Sequence, residues 1–217
     1  MNILVMQKWI YLIRHGETDL NRQGIVQGSG MDAPLNALGR EQGLAFYEKY
    51  KAVPFEAVIT SDLQRTHQTV APFLETGLPW HRTADINEIS WGIFEGKPRS
   101  RELKEAYEWL MTEWTSGNWD ARMVNGESAN ELAVRAGRFW KEIQERPESH
   151  LLVCSHGRTM RCLMCLATGK PLSEMENFQH ANTGLYLLYW NGRSFDLHLN
   201  NDTSHYDLMK TAEKFVQ

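Results

Sequence analysis

Cysteine is scarce: 217 residues hold only Cys154, Cys162 and Cys165. An odd count without a paired framework argues against a disulfide-built secreted domain and predicts a reducing, cytoplasmic setting. Cys162-x-x-Cys165 lacks the second pair a zinc site would need, so both thiols are expected to be small buried residues, with no metal. Long apolar runs are also missing. Nothing approaches the roughly 20 residues of a membrane helix, and residues 1–6 are too short for a signal h-region and lack a basic flank. No membrane partner is expected. Surplus positive charge is absent too: 23 basic against 27 acidic residues, a net charge of −4 and a pI near 6.1 speak against a nucleic-acid partner. There is no internal repeat and no low-complexity tract.

What is present is ordinary for a globular chain, with 42% hydrophobic and 23% charged residues. The length suits one domain over residues 1–217 with a small cap insertion at about 97–126. Strand-like runs at 9–13, 58–60, near 80–83 and 151–154 alternate with helical patterns at 38–51, 63–75 and 159–168. That alternation predicts an α/β three-layer sandwich: a mainly parallel sheet with helices on both faces. Residues 183–190 and 194–199, joined through Asn191-Gly192, read as a hairpin with a type I′ turn, which adds an antiparallel edge strand. The cap segment is helical and Trp-rich (Trp109, Trp114, Trp119), with Glu102, Lys104, Glu105 and Glu108 on its polar side. Its tryptophans are read as packing residues.

Chemistry concentrates at strand ends. Arg14-His15-Gly16 closes the first run, and Ser155-His156-Gly157 closes the run at 151–154. Open α/β sheets bind ligands at such carboxyl ends. Arg65, in the first turn after the 58–60 strand, faces the same rim, and Glu88 lies in a loop among apolar neighbours, a setting suited to an acid. A phosphate monoester is a dianion that arginine forks match well, and a neutral imidazole whose far nitrogen is held by a carbonyl can attack phosphorus. Arg14 and Arg65 supply the forks and His15 the nucleophile. A protonated His156 would donate to the phosphoryl oxygens, and Glu88 would protonate the leaving alcohol.

Further segments fall in a recognisable order. Asn21 and Gln27-Gly28 follow Arg14-His15-Gly16-Glu17-Thr18, then come Asp32-x-Pro34-Leu35 with Gly39 and Gln42, and Ser61-Asp62-Leu63-x-Arg65-Thr66. Glu88 with Glu95-Gly96, Gly126-Glu127-Ser128 with Arg135, and Ser155-His156-Gly157 complete the series. Over nearly its whole length the chain resembles the histidine phosphatase superfamily, the phosphoglycerate mutase-like proteins, and within it the small phosphatase branch that includes alpha-ribazole phosphatase. The resemblance implies that His15 is phosphorylated, that Arg14, Arg65 and His156 form the phosphate pocket with Asn21 as a neutral donor, and that Glu88 is the proton donor. Thr18 and Gln27 lie in the loop lining that pocket. It also implies that neither metal nor cofactor is needed and that the partner is a small phosphorylated metabolite.

Two departures stand out: Asn36 where the family commonly has threonine, and Val124-Asn125 where a proline usually precedes the glycine. They bear on helix capping and the cap's rim. Family mutases carry a longer insertion with an Arg-Arg pair and a tyrosine and lysine that grip a substrate carboxylate. Residues 88–97 hold Trp91 and Phe94 but no tyrosine, and Arg99, Arg101 and Arg122 stand apart. Hydrolysis is therefore the leading expectation, with phosphoglycerate mutase and a silent binding protein as rivals. The substrate stays open among ribazole phosphate, a sugar phosphate and a phosphoglycerate, and so does the oligomeric state, a homodimer included. Glu17 and Glu127 are read as rim charges and His67 as structural. Asn182, Thr183 and His205 receive no chemical role.

Overall fold

A computed structural model describes residues 7–213, so the expectation about residues 1–6 lies outside the described residues. β1 (Lys8–Arg14) and β4 (His150–Ser155) lie side by side and parallel in the middle of a six-stranded sheet. With β2 (Ala57–Thr60), β3 (Trp80–Arg82), β5 (Leu185–Trp190) and β6 (Phe195–Asp202), the order is β3-β2-β4-β1-β5-β6. The first four of these pair in parallel, and β5 runs antiparallel to both neighbours.

β4 is apolar on both faces, as a strand covered by helices on each side must be. Ile10, Leu12, Leu151 and Val153 pack on one side against α6 (Ala129–Glu145) and α7 (Gly157–Thr168). On the other side, Ile13, Leu152 and Cys154 meet Phe46 of α2 (Ala37–Tyr50) and Phe73 of α4 (Ala71–Leu74). All three cysteines are buried thiols. Among the described residues no helix is long and apolar enough to cross a membrane.

Several details differ from the sequence reading for local reasons. The 63–75 helix is two pieces, α3 (Gln64–Thr69) and α4, broken at Val70 ahead of Pro72, which has no N–H to continue the ladder. The hairpin is present but its turn is not type I′: only Gly192 has positive φ (92°), and Asn191 Oδ1 instead accepts the N–H groups of Arg193 and Ser194. β5 starts at Leu185, because Thr183 is left-handed (φ 51°). α6 escaped the sequence reading although Ser128 and Glu131 form a capping box at its start. A short α1 (Asp19–Gln23) follows β1, α5 (Arg101–Thr115) occupies the cap segment, and α8 (Tyr206–Glu213) packs on α2. In the cap, Trp114 is buried, as a packing residue should be, whereas Trp109 is exposed.

Candidate active site

Parallel pairing aligns the ends of β1 and β4, with Arg14 opposite Ser155, so His15 and His156 emerge as neighbours with ring centres 5.1 Å apart. The His15 backbone N–H donates to the Ser155 carbonyl at 3.0 Å. His15 is buried, and its Nδ1 donates to the Gly16 carbonyl at 2.7 Å. A carbonyl can only accept, so the proton sits on Nδ1 and the Nε2 lone pair is free. Burial holds the ring's pKa well below the ordinary histidine value, and the Arg14 and Arg65 guanidiniums push it the same way. Gly16 is required by crowding rather than by φ: a Cβ there would stand 2.4 Å from the Gly39 carbonyl oxygen.

His156 ends up differently. It is the N-cap of α7, its Nδ1 accepts from Arg65 Nε at 3.1 Å, and its Nε2–H donates to Ser61 Oγ at 2.8 Å. The ring is therefore neutral, and burial followed by Arg65 keeps its pKa far down. The protonated donor expected from the sequence does not fit this arrangement, because His156 Nδ1 accepts the Arg65 Nε–H and burial disfavours a second proton. Arg65 is fully buried, with pKa lowered to about 10 mainly by burial, and it also donates to the Met31 carbonyl at 2.6 Å. It thus ties the 28–31 loop to His156.

Five of the sequence-chosen residues line one cavity of about 210 Å³: Arg14, His15, Asn21, Gln27 and Glu88. Arg65, His156 and Thr18 stand behind that wall. Arg14 Nη1 donates to the His180 carbonyl at 2.8 Å while its buried Nε–H has no partner. Thr18 caps α1, its Oγ1 accepting from the Asn21 N–H and from Gln27 Nε2 at 2.7 Å. In return Asn21 Oδ1 accepts the Thr18 N–H at 3.2 Å, which fixes the amide and leaves its Nδ2 as a donor. Gln27 Oε1 is buried without a partner.

Glu88 sits among donors as well as apolar groups. Its Oε1 accepts from the N–H groups of Ile89 (3.0 Å) and Thr159 (3.1 Å), and its Oε2 from that of Arg158 (3.1 Å) at the start of α7. Arg135 secures this loop, donating to the Asn87 carbonyl at 2.7 Å and pairing with both Glu127 oxygens. Glu127 is thus structural, and so is His67, whose Nε2 donates to the Ser61 carbonyl at 2.6 Å.

Residues with no role assigned from the sequence also build the site. Asn182 Nδ2 donates to the His15 carbonyl and the Thr183 N–H to the Arg14 carbonyl, both at 3.0 Å, while Thr183 Oγ1 meets His205 Nε2 at 2.8 Å. These three residues fix the backbone of the site. No pattern in the sequence announced it, since the contacts span about 170 positions. His180, pulled down to about pKa 3 mainly by burial, Tyr107 and Arg158 also line the cavity. Gly157 admits the His180 ring, which would lie 2.3 Å from a Cβ. Arg158 directly follows the histidine motif and was the one of the three that the sequence could have flagged. Asn36 caps α2, with Oδ1 accepting the Gly39 N–H at 2.9 Å, so threonine's usual task is done by asparagine. Asn125 adopts φ 59°, which proline cannot, so the cap's rim turns differently at this departure. Among the described residues no group of three or more His, Cys, Asp or Glu side chains could hold a metal.

The family model described as histidine phosphatase superfamily (branch 1) matches residues 10–203. The "Probable phosphoglycerate mutase GpmB" of Enterobacter sp. (strain 638) is 29% identical over 205 residues, covering 91% of this chain and 94% of that protein. Among solved structures, the alpha-ribazole phosphatase of Shigella flexneri superposes with a TM-score of 0.79 at 27% identity, covering 90% and 96% of the two chains. YhfR of Bacillus stearothermophilus gives 0.80 at 27% identity, covering 91% and 98%. With the family model spanning most of its length, this chain belongs to the histidine phosphatase superfamily, branch 1.

Proposed function

We propose that the protein hydrolyses phosphomonoesters of small metabolites through a phosphohistidine on His15. The observation that carries this reading is the 2.7 Å hydrogen bond from His15 Nδ1 to the Gly16 carbonyl, which leaves Nε2 unprotonated beside Arg14 in the cavity. In the first step Nε2 bonds to phosphorus as the ester P–O bond breaks, and Glu88 gives the departing oxygen its proton. Arg14 and Asn21 Nδ2 donate to the phosphoryl oxygens and Gln27, whose Nε2 holds Thr18, lines the pocket beside them, with Arg65 behind as fixed positive charge and the neutral His156 as its support. In the second step Glu88 takes a proton from water, the water oxygen bonds to phosphorus, the N–P bond breaks, and inorganic phosphate leaves.

A mutase reading is favoured by the name of the Enterobacter relative. Assay with para-nitrophenyl phosphate, and with 3-phosphoglycerate plus 2,3-bisphosphoglycerate, separates the two. Phosphate release that disappears in His15→Ala is the expected result. Rapid interconversion of 3- and 2-phosphoglycerate without phosphate release would overturn hydrolysis, and inactivity across a broad panel of esters would favour a binding protein.

A further inference from the structure

Part of the cavity wall is apolar and aromatic, built from Trp91, Phe94, Leu103, Tyr107 and Met123. The cation on that wall is Arg158, only 5% exposed, and it is already committed. Its guanidinium lies 5.7 Å from the Trp91 ring centre and 5.4 Å from that of Trp114, and Nη2 donates to Tyr107 Oη at 2.7 Å. Nη1 forms an ion pair with Glu176, whose other oxygen takes Arg161. The cap's arginines are turned to surface partners: Arg99 Nε donates to the Gly24 carbonyl, Arg101 pairs with Glu105 at 2.7 Å, and Arg122 with Glu131 at 2.6 Å.

A substrate carboxylate entering this end would lose water and find the Arg158 fork already turned onto Glu176 and Tyr107, whereas a ring would gain apolar contact. A cavity of about 150 Å³ holds one benzene, so 210 Å³ leaves room for a phosphate and about one ring.

Building on the hydrolytic reading, we infer that the preferred substrate is the phosphomonoester of an uncharged apolar or aromatic alcohol, and that Glu176, by holding Arg158, turns carboxylate-bearing esters away. Glu176 acts through Arg158 and is therefore a positioning residue that sets specificity.

The test is steady-state kinetics on benzyl phosphate, glycerol 3-phosphate and 3-phosphoglycerate, all esters of alkyl alcohols. The wild type should favour benzyl phosphate over 3-phosphoglycerate by at least tenfold in kcat/KM, mainly through KM. Glu176→Gln should narrow that gap at least fivefold by lowering KM for 3-phosphoglycerate, and Arg158→Met added to Glu176→Gln should restore it. Should the Glu176 variant not fold, Phe94→Ala replaces it, with KM for benzyl phosphate raised at least fivefold and that for 3-phosphoglycerate less than twofold. A wild-type preference for 3-phosphoglycerate, an unchanged gap in Glu176→Gln, or a gap still narrow in the double variant overturns the inference. Hydrolysis without the rank order overturns this inference alone; no hydrolysis of any ester overturns the hydrolytic reading with it.

Discussion

The ends of β1 and β4 share one sequence grammar, an apolar strand followed by a histidine and a glycine, yet they deliver their histidines to different places. After β1 the chain runs through a loop before α1 starts at Asp19, so His15 is free to turn its Nδ1 onto its own loop and show Nε2 to the cavity. After β4 the helix begins at once at Gly157, so His156 becomes a helix cap whose nitrogens meet Arg65 and Ser61. The distance from strand end to helix start separates an open imidazole from an enclosed one. A motif alone does not carry that distinction.

The largest expected effect tests this asymmetry directly. His15→Ala should lower kcat by about 10⁴-fold or more and leave no phosphorylated protein after incubation with labelled ester. His156→Gln should still become labelled, only more slowly; equal loss of label in both variants would erase the distinction between the strand ends. Arg65→Ala removes the charge behind both rings and should cost about 10²- to 10³-fold in kcat/KM for para-nitrophenyl phosphate, the scale of a lost transition-state donor. Glu88→Gln should impair alkyl esters by about 10²-fold while para-nitrophenyl phosphate, whose leaving group needs no proton, loses far less. Equal losses would remove Glu88 from the acid role.

The next effect is on pH. The His15 ring is held neutral by burial, then by Arg14 and Arg65, so its carbon-bound proton signals in NMR should stay flat from pH 7.5 to 5.5. His205 is likewise buried, with pKa pulled down to about 4. Below pH 6.5 the unfolded chain binds a proton there that the native state does not, so stability is complete above pH 6.5 and is lost as pH falls toward 4. That shift corresponds to about 3 kcal/mol. His205→Gln should flatten the fall of Tm across this window; an unchanged slope would mean that the other buried histidines carry it. The smallest effect belongs to the exit from β1, where Asn36→Ala removes both the α2 cap and the bond to Glu17 and should cost about 1 kcal/mol by denaturant unfolding.

Much of this was legible in the chain because it is local. The buried strands are continuous apolar runs, and of the residues that share the cavity Arg14 and His15 lie at a strand end, Asn21 in the short helix after it, and Gln27 and Glu88 in loops. The protonation of His156 was illegible, because it depends on Arg65 and Ser61 arriving from a third strand end. The split at Val70 could have been read from Pro72, and α6 from Ser128 and Glu131. The bracing by Asn182, Thr183 and His205 could not, since nothing near these residues shows that their partners lie in β1 and the loop after it.

That bracing has a consequence for biosynthesis. Among the described residues β1 pairs with β4 and β5, more than 130 residues later, and the carbonyls of Arg14 and His15 are secured by Thr183 and Asn182. His205 and Tyr206 then secure those two in turn. A ribosome that stalls before this last turn emerges has made every side chain that lines the cavity, yet the nucleophile's strand is still waiting for its clasp. Such long-range closure is slow. The first histidine made is among the last to be set in place.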